Sequence, residues 1–196
     1  MEFVKIQLTK QNTLNATYKN GDGDVIQFTG ANIVHKDLKD ALNALIPHLA
    51  IITEQREVYN RSLEDVQGDR ITDEGENSVY KRFTCDSVSL ANNEREVSLS
   101  GVRILLKTGI VSLQTPKIDL ESEDDYEYFN ELSLDVDAVK YEAKAYIEEK
   151  KWGVKQAEIE FKDIAPFEGE VKADEVPMAD DDKPTPKKRG RKSKAA

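Results

Sequence analysis

The sequence has 196 residues, 38% of them hydrophobic, which is enough for one core of ordinary size with a surplus that reads as tail. No apolar run approaches the ~18 residues of a membrane span, and residues 1–10 alternate where a secretory signal would be continuously apolar, so a chain that stays in the cytoplasm is expected. One cysteine, Cys85, and two histidines, His35 and His48, exclude an internal disulfide and argue against structural zinc.

The net charge of −10 conceals an asymmetry. Residues 183–196 hold seven of the 28 basic side chains and none of the 38 acidic ones, which leaves residues 1–182 with 21 basic against 38 acidic groups, a charge of −17. A body that acidic repels phosphate over most of its surface, so a nucleic-acid partner must meet a local basic patch or the tail.

In chain order, Phe3, Val4, Ile6 and Leu8 predict a first strand and residues 14–18 a second. Asn20-Gly21-Asp22-Gly23-Asp24 is a dense turn signal before a third strand over residues 25–29. Asp22 and Asp24 are calcium-ligand types, but the loop lacks the closing glutamate of an EF-hand, and a hairpin turn is expected. From Lys36 the period changes: Leu38, Ala41, Leu42, Leu45, Leu49 and Ile52 recur at steps of three and four, predicting a helix to about Thr53, kinked at Pro47. His48 reads as a boundary residue. Residues 57–78 have scattered apolar positions and read as a long loop, a candidate contact surface.

Strand character returns over residues 80–90, with Cys85 a small buried apolar residue beside Phe83. Residues 96–120 hold the longest run of strand formers. Within it the apolar set switches parity from Val97 and Leu99 to Val102 and Ile104, so an inserted residue, a β-bulge, is expected at Gly101. Lys107-Thr108-Gly109 predicts a reversal and residues 110–115 a returning strand. Six acidic residues crowd positions 119–127 and read as a solvated loop. Asp135 then has the character of an N-cap for a helix carrying Val136, Val139, Ala143, Tyr146 and Ile147, stopped by Gly153, and residues 157–161 read as a last strand.

Runs of strands joined by short turns imply an α+β fold, mainly an antiparallel sheet with two helices packed on one face and a disordered C-terminal tail. The expected divisions are a single domain over residues 1–165, an acidic, proline-containing linker over 166–182 and a basic tail over 183–196.

No glycine-rich phosphate loop precedes either helix, and no serine, histidine and carboxylate stand close enough to favour acyl transfer. Catalytic residues, metal ligands and cofactors are therefore expected to be absent. One enzymatic alternative remains: Asp119 with Glu160-x-Lys162 is similar to the D…E-x-K arrangement of metal-dependent nucleases, although the same alternation describes an exposed strand face.

The tail carries the functional signal. Asp180-Asp181-Asp182 is followed by Lys183-Pro184-Thr185-Pro186-Lys187-Lys188-Arg189-Gly190-Arg191-Lys192-Ser193-Lys194. This stretch resembles the AT-hook family of DNA-binding tails, whose R-G-R core matches Arg189, Gly190 and Arg191. The resemblance implies that glycine lets the backbone approach the floor of an A·T-rich minor groove while each arginine enters its negative potential. Lys187 and Lys188 match the basic entry to the core. Lys192 stands where the family usually has proline, which leaves general phosphate attraction from Lys192 and Lys194. The same letters look like a nuclear import signal, relevant only in a eukaryotic setting, or a solubilising tail that contacts an acidic body.

The expectation is thus a non-enzymatic nucleic-acid-associated protein, with DNA as its partner, bound through Lys187, Lys188, Arg189, Gly190, Arg191, Lys192 and Lys194. The alternative is a structural or adaptor protein acting as a homo-oligomer or on a protein partner, by a strand edge or by the loop at 57–78.

Overall fold

Alternation of apolar and polar residues gives the first three strands, β1 (Glu2–Leu8), β2 (Thr13–Lys19) and β3 (Val25–Ile33), which pair antiparallel in sequence order. The computed structural model describes residues 1–72, 78–107 and 109–153, all within one unit, Met1–Gln156. The turn between β2 and β3 is the hairpin that the glycines and aspartates announced: Asn20 Oδ1 accepts from the backbone of Asp22 and Asp24.

Four more strands complete an antiparallel sheet among the described residues. They are β4 (Phe83–Ala91), β5 (Glu96–Ile104), β6 (Ile110–Gln114) and the short β7 (Ile118–Asp119). The spatial order is β3-β2-β1-β4-β5-β6, with β7 also on β5. Gly109 takes the left-handed conformation (φ +84°) that the β5–β6 reversal requires.

The helical layer is α1 (Lys36–Ala44), α2 (Ile46–Ile52), α3 (Leu63–Thr72), α4 (Val79–Arg82) and α5 (Phe129–Glu148). Helix α1 packs on α5, and α1 and α2 both reach β4. Leu38, Leu42, Leu45 and Leu49 meet Val136, Val139, Ala143 and Tyr146 in one core with Ile6, Leu14, Val88 and Leu99. Each such fully buried aliphatic side chain contributes about 1.5–3 kcal/mol relative to exposure. The α+β expectation and its two main helices are therefore present.

The details differ from the periodic pattern in four places. The expected kinked helix is two helices meeting at Leu45, and Pro47 sits in the first turn of α2, where a missing backbone donor costs nothing. Residues 57–78 are not simply a loop: a 3-10 turn (Arg56–Val58) and α3 lie there, with α4 directly after, and Val58, Leu63 and Val66 are buried. Ser62 and Asp65 form a capping box at the start of α3. Strand β4 accordingly begins at Phe83, because Tyr80 belongs to α4.

Helix α5 starts at Phe129, six residues before the expected cap, because Leu132 extends the buried stripe one turn further back. It ends at Glu148, five positions before Gly153, with Lys150 in the left-handed conformation (φ +57°). The strand expected over residues 157–161 lies outside the described residues.

The irregularity expected at Gly101 exists, but the extra residue is on the opposite strand. Cys85 pairs with Gly101 and Ser87 with Ser100, so Asp86 is the bulged residue. β5 keeps strict alternation, and Val97, Leu99 and Gly101 all face the helices. A Cβ on Gly101 would stand 1.8 Å from the Thr84 carbonyl oxygen and 2.8 Å from Leu49 Cδ2, so only glycine fits the close approach of β4. Cys85 is buried as expected; burial, then the charge of Asp86, pushes its thiol up to about 12.

Candidate functional site

The parity that buries Val97, Leu99 and Gly101 places Arg103 on the helix-facing side of β5. A guanidinium there needs compensation. It lies over the Phe83 ring, 5.8 Å from the centroid, and donates from Nη1 to Gln55 Oε1 (3.0 Å) and from Nη2 to Glu57 Oε1 (2.6 Å). Arg82, the last residue of α4, brings Nη1 to 2.6 Å from the same oxygen. The Glu57 side chain is 6% exposed and that of Arg82 is 10% exposed, so the pairing is well removed from water.

One carboxylate thus serves two guanidinium groups. Arg56, exposed beside them, has no ion pair or side-chain hydrogen bond among the described residues. Arg56, Glu57, Arg82, Arg103 and Leu106 line a cavity of about 460 Å³. Three arginines and one glutamate give it a formal charge of +2 within a body of net charge −17. Glu57 Oε2, Arg82 Nε and Arg103 Nε are buried without a hydrogen-bond partner.

Beside the cavity, the tip of the β5–β6 hairpin exposes Ile104, Leu105, Leu106, Ile110 and Val111. These are the apolar residues beyond Gly101. Because β5 does not change parity, Ile104 points away from the helices and stays 44% exposed. β6 ends the sheet and contains no charged residue between Ile110 and Gln114, an edge without the charges that usually protect one.

The sheet face turned away from the helices is polar. Thr29, Asn15, Gln7, Ser87, Ser100 and Gln114 fall in one cross-strand row, and Gln27, Thr17, Lys5, Ser89 and Ser98 in the next. Lys5 is the one charge in these rows, so the face offers hydrogen bonds with little electrostatic attraction.

His48 corrects the boundary reading: it is fully buried. Its Nδ1 is 2.9 Å from Tyr126 Oη and its Nε2 is 3.3 Å from Asp135 Oδ2. Burial, followed by the charge neighbours Tyr128 and Glu131, drives the Tyr126 hydroxyl well above the ordinary phenol range. Tyr126 therefore stays protonated and shares a hydrogen bond with Nδ1, while Nε2 faces Asp135. With the ring closed to solvent, the group pins α2, the acidic segment and α5 together.

The acidic segment is partly self-bound. The single Nε–H of Arg95 is shared by both carboxylate oxygens of Asp119, at 3.1 Å each, and Asp125 Oδ2 accepts from the Asp119 backbone. The Arg95 guanidinium, with the Glu121 backbone N–H, holds the Asp119 carboxyl below the usual range. Among the described residues no three histidine, cysteine or acidic side chains are grouped to hold a metal ion. Glu160 and Lys162 of the nuclease-like pattern lie outside the described residues, as do Lys187, Lys188, Arg189, Gly190, Arg191, Lys192 and Lys194 of the tail.

Sequence reasoning missed Glu57, Arg82 and Arg103 as a group. The signal was Arg103 itself, a charge on the buried parity of the most apolar strand. No protein-family model matches the chain, and no curated protein or solved structure is significantly similar to it.

Proposed function

We propose that this is a non-enzymatic nucleic-acid-associated protein whose basic tail supplies affinity for DNA while the α+β body supplies shape and partner contacts. The observation that carries the reading is the separation of charge: +7 over residues 183–196 beside −17 over the rest. The acidic body repels polyanions over most of its surface, which favours contact through the tail, and the R-G-R at residues 189–191 suits a groove floor. Binding of full-length protein to duplex DNA should weaken steeply with salt, approaching a log–log slope of about −6 if all seven cations meet phosphates. A flat salt dependence overturns the reading.

A second reading, self-association through β6, is favoured by one observation: the edge strand is uncharged and its hairpin tip is apolar. Antiparallel pairing of two copies of β6 brings no like charges together. Sedimentation with and without DNA separates the readings. A concentration-dependent dimer that Val111→Lys returns to monomer supports self-association; a monomer at every concentration removes it.

A further inference from the structure

We propose that the cavity lined by Arg56, Arg82 and Arg103 is a binding site for a phosphate group, separate from the basic tail. Several observations converge on that chemistry. One carboxylate balances the charge of one arginine. Here Glu57 Oε1 is shared by Arg82 and Arg103 at 2.6 Å each, and Arg56 adds a third guanidinium at the rim.

Burying arginine without full compensation is costly. Arg82 is 8% exposed, yet one carboxylate oxygen divides its charge between Arg82 and Arg103. Arg82 Nε and Arg103 Nε in the same cluster have no hydrogen-bond partner among the described residues, so the pairing with Glu57 leaves the guanidinium groups incompletely compensated. An anion in the cavity would meet the outer N–H groups of the arginines that line it, adding negative charge that one carboxylate does not supply. The formal +2 matches a phosphoryl dianion, whereas a carboxylate leaves one positive charge over. Guanidinium forks suit tetrahedral phosphate oxygens, which accept paired N–H bonds. The 460 Å³ of space is within the range of small-molecule sites, and Leu106 and the Phe83–Arg103 stack give the guanidinium groups an apolar surround that strengthens such bonds.

Free phosphate and the terminal phosphate of a nucleic acid share this chemistry. The test is calorimetric titration of the full chain at fixed ionic strength with inorganic phosphate, and with a short oligonucleotide carrying either a 5′-phosphate or a 5′-hydroxyl. Saturable one-site binding of inorganic phosphate is expected. Arg56→Ala, at an exposed position with no partner to lose among the described residues, should weaken it roughly tenfold or more, and Arg103→Lys should weaken it by keeping charge but losing the fork.

Replacing Lys187, Lys188, Arg189 and Arg191 by glutamine in the full chain should leave phosphate binding unchanged, which separates this site from the tail. Preference for the 5′-phosphorylated oligonucleotide, abolished by Arg56→Ala, identifies a nucleic-acid end as the source; equal binding of the two oligonucleotides identifies a free phosphate compound. Absence of saturable phosphate binding, indifference to Arg56→Ala, or loss on neutralising the tail each overturns the proposal.

Discussion

The hydroxyl of Tyr126 lies 2.9 Å from Nδ1 of His48, joining residues 78 apart in the chain inside a site closed to solvent. Tyr126 belongs to the acidic segment and His48 to the buried helix α2, so this bond ties the segment to the core beyond the pairing of β7 with β5. Tyr126→Phe keeps the ring but leaves a buried nitrogen without its hydrogen-bond partner, at a cost of about 1–3 kcal/mol. A fall in the urea midpoint with an unchanged slope checks it.

Gly101 makes a second, sharper case. A methyl group there meets the Thr84 carbonyl oxygen at 1.8 Å, and backbone cannot yield as a flexible side chain can. Gly101→Ala should destabilise the domain by about 3 kcal/mol or more, because relief requires moving β4 away from β5. Thermal unfolding of the variant reads this directly.

Asp69 accepts from both terminal nitrogens of Arg61, at 3.1 and 2.8 Å, and this contact holds its carboxyl below the usual carboxylate range. The folded chain therefore binds that proton less readily than the unfolded chain does. Its contribution is complete above the unfolded value of about 4 and disappears as the pH falls through the lower folded value. The difference in Tm between the natural chain and Asp69→Asn should accordingly be constant above about pH 5 and close below about pH 4.

Much of the fold could be read from spacing alone. Leu38, Leu42, Leu45 and Leu49 mark the helical face, and alternation marks β1 to β3, since each element buries its own regular set. Misreadings came where one residue type serves two purposes. Asp135 has the character of a cap, yet it lies within α5 and faces His48. Gly101 announced a bulge whose extra residue, Asp86, is on the partner strand; a single strand's pattern cannot say which side carries it. The arginine cavity was the least legible feature. Glu57 meets Arg103 across 46 residues, and only the fold brings such distant charges to one oxygen. A charge at core parity announces that a partner exists without saying which residue it is.

The separation between an acidic body and a cationic tail is the central claim, and deletion of residues 183–196 tests it most directly. Gel shifts of full-length and shortened protein on single- and double-stranded DNA with 5′-hydroxyl ends, across a salt series, should show salt-sensitive binding by the intact chain and none by the shortened one. Equal affinity of the two proteins for either DNA would contradict the account and move the nucleic-acid site into the body.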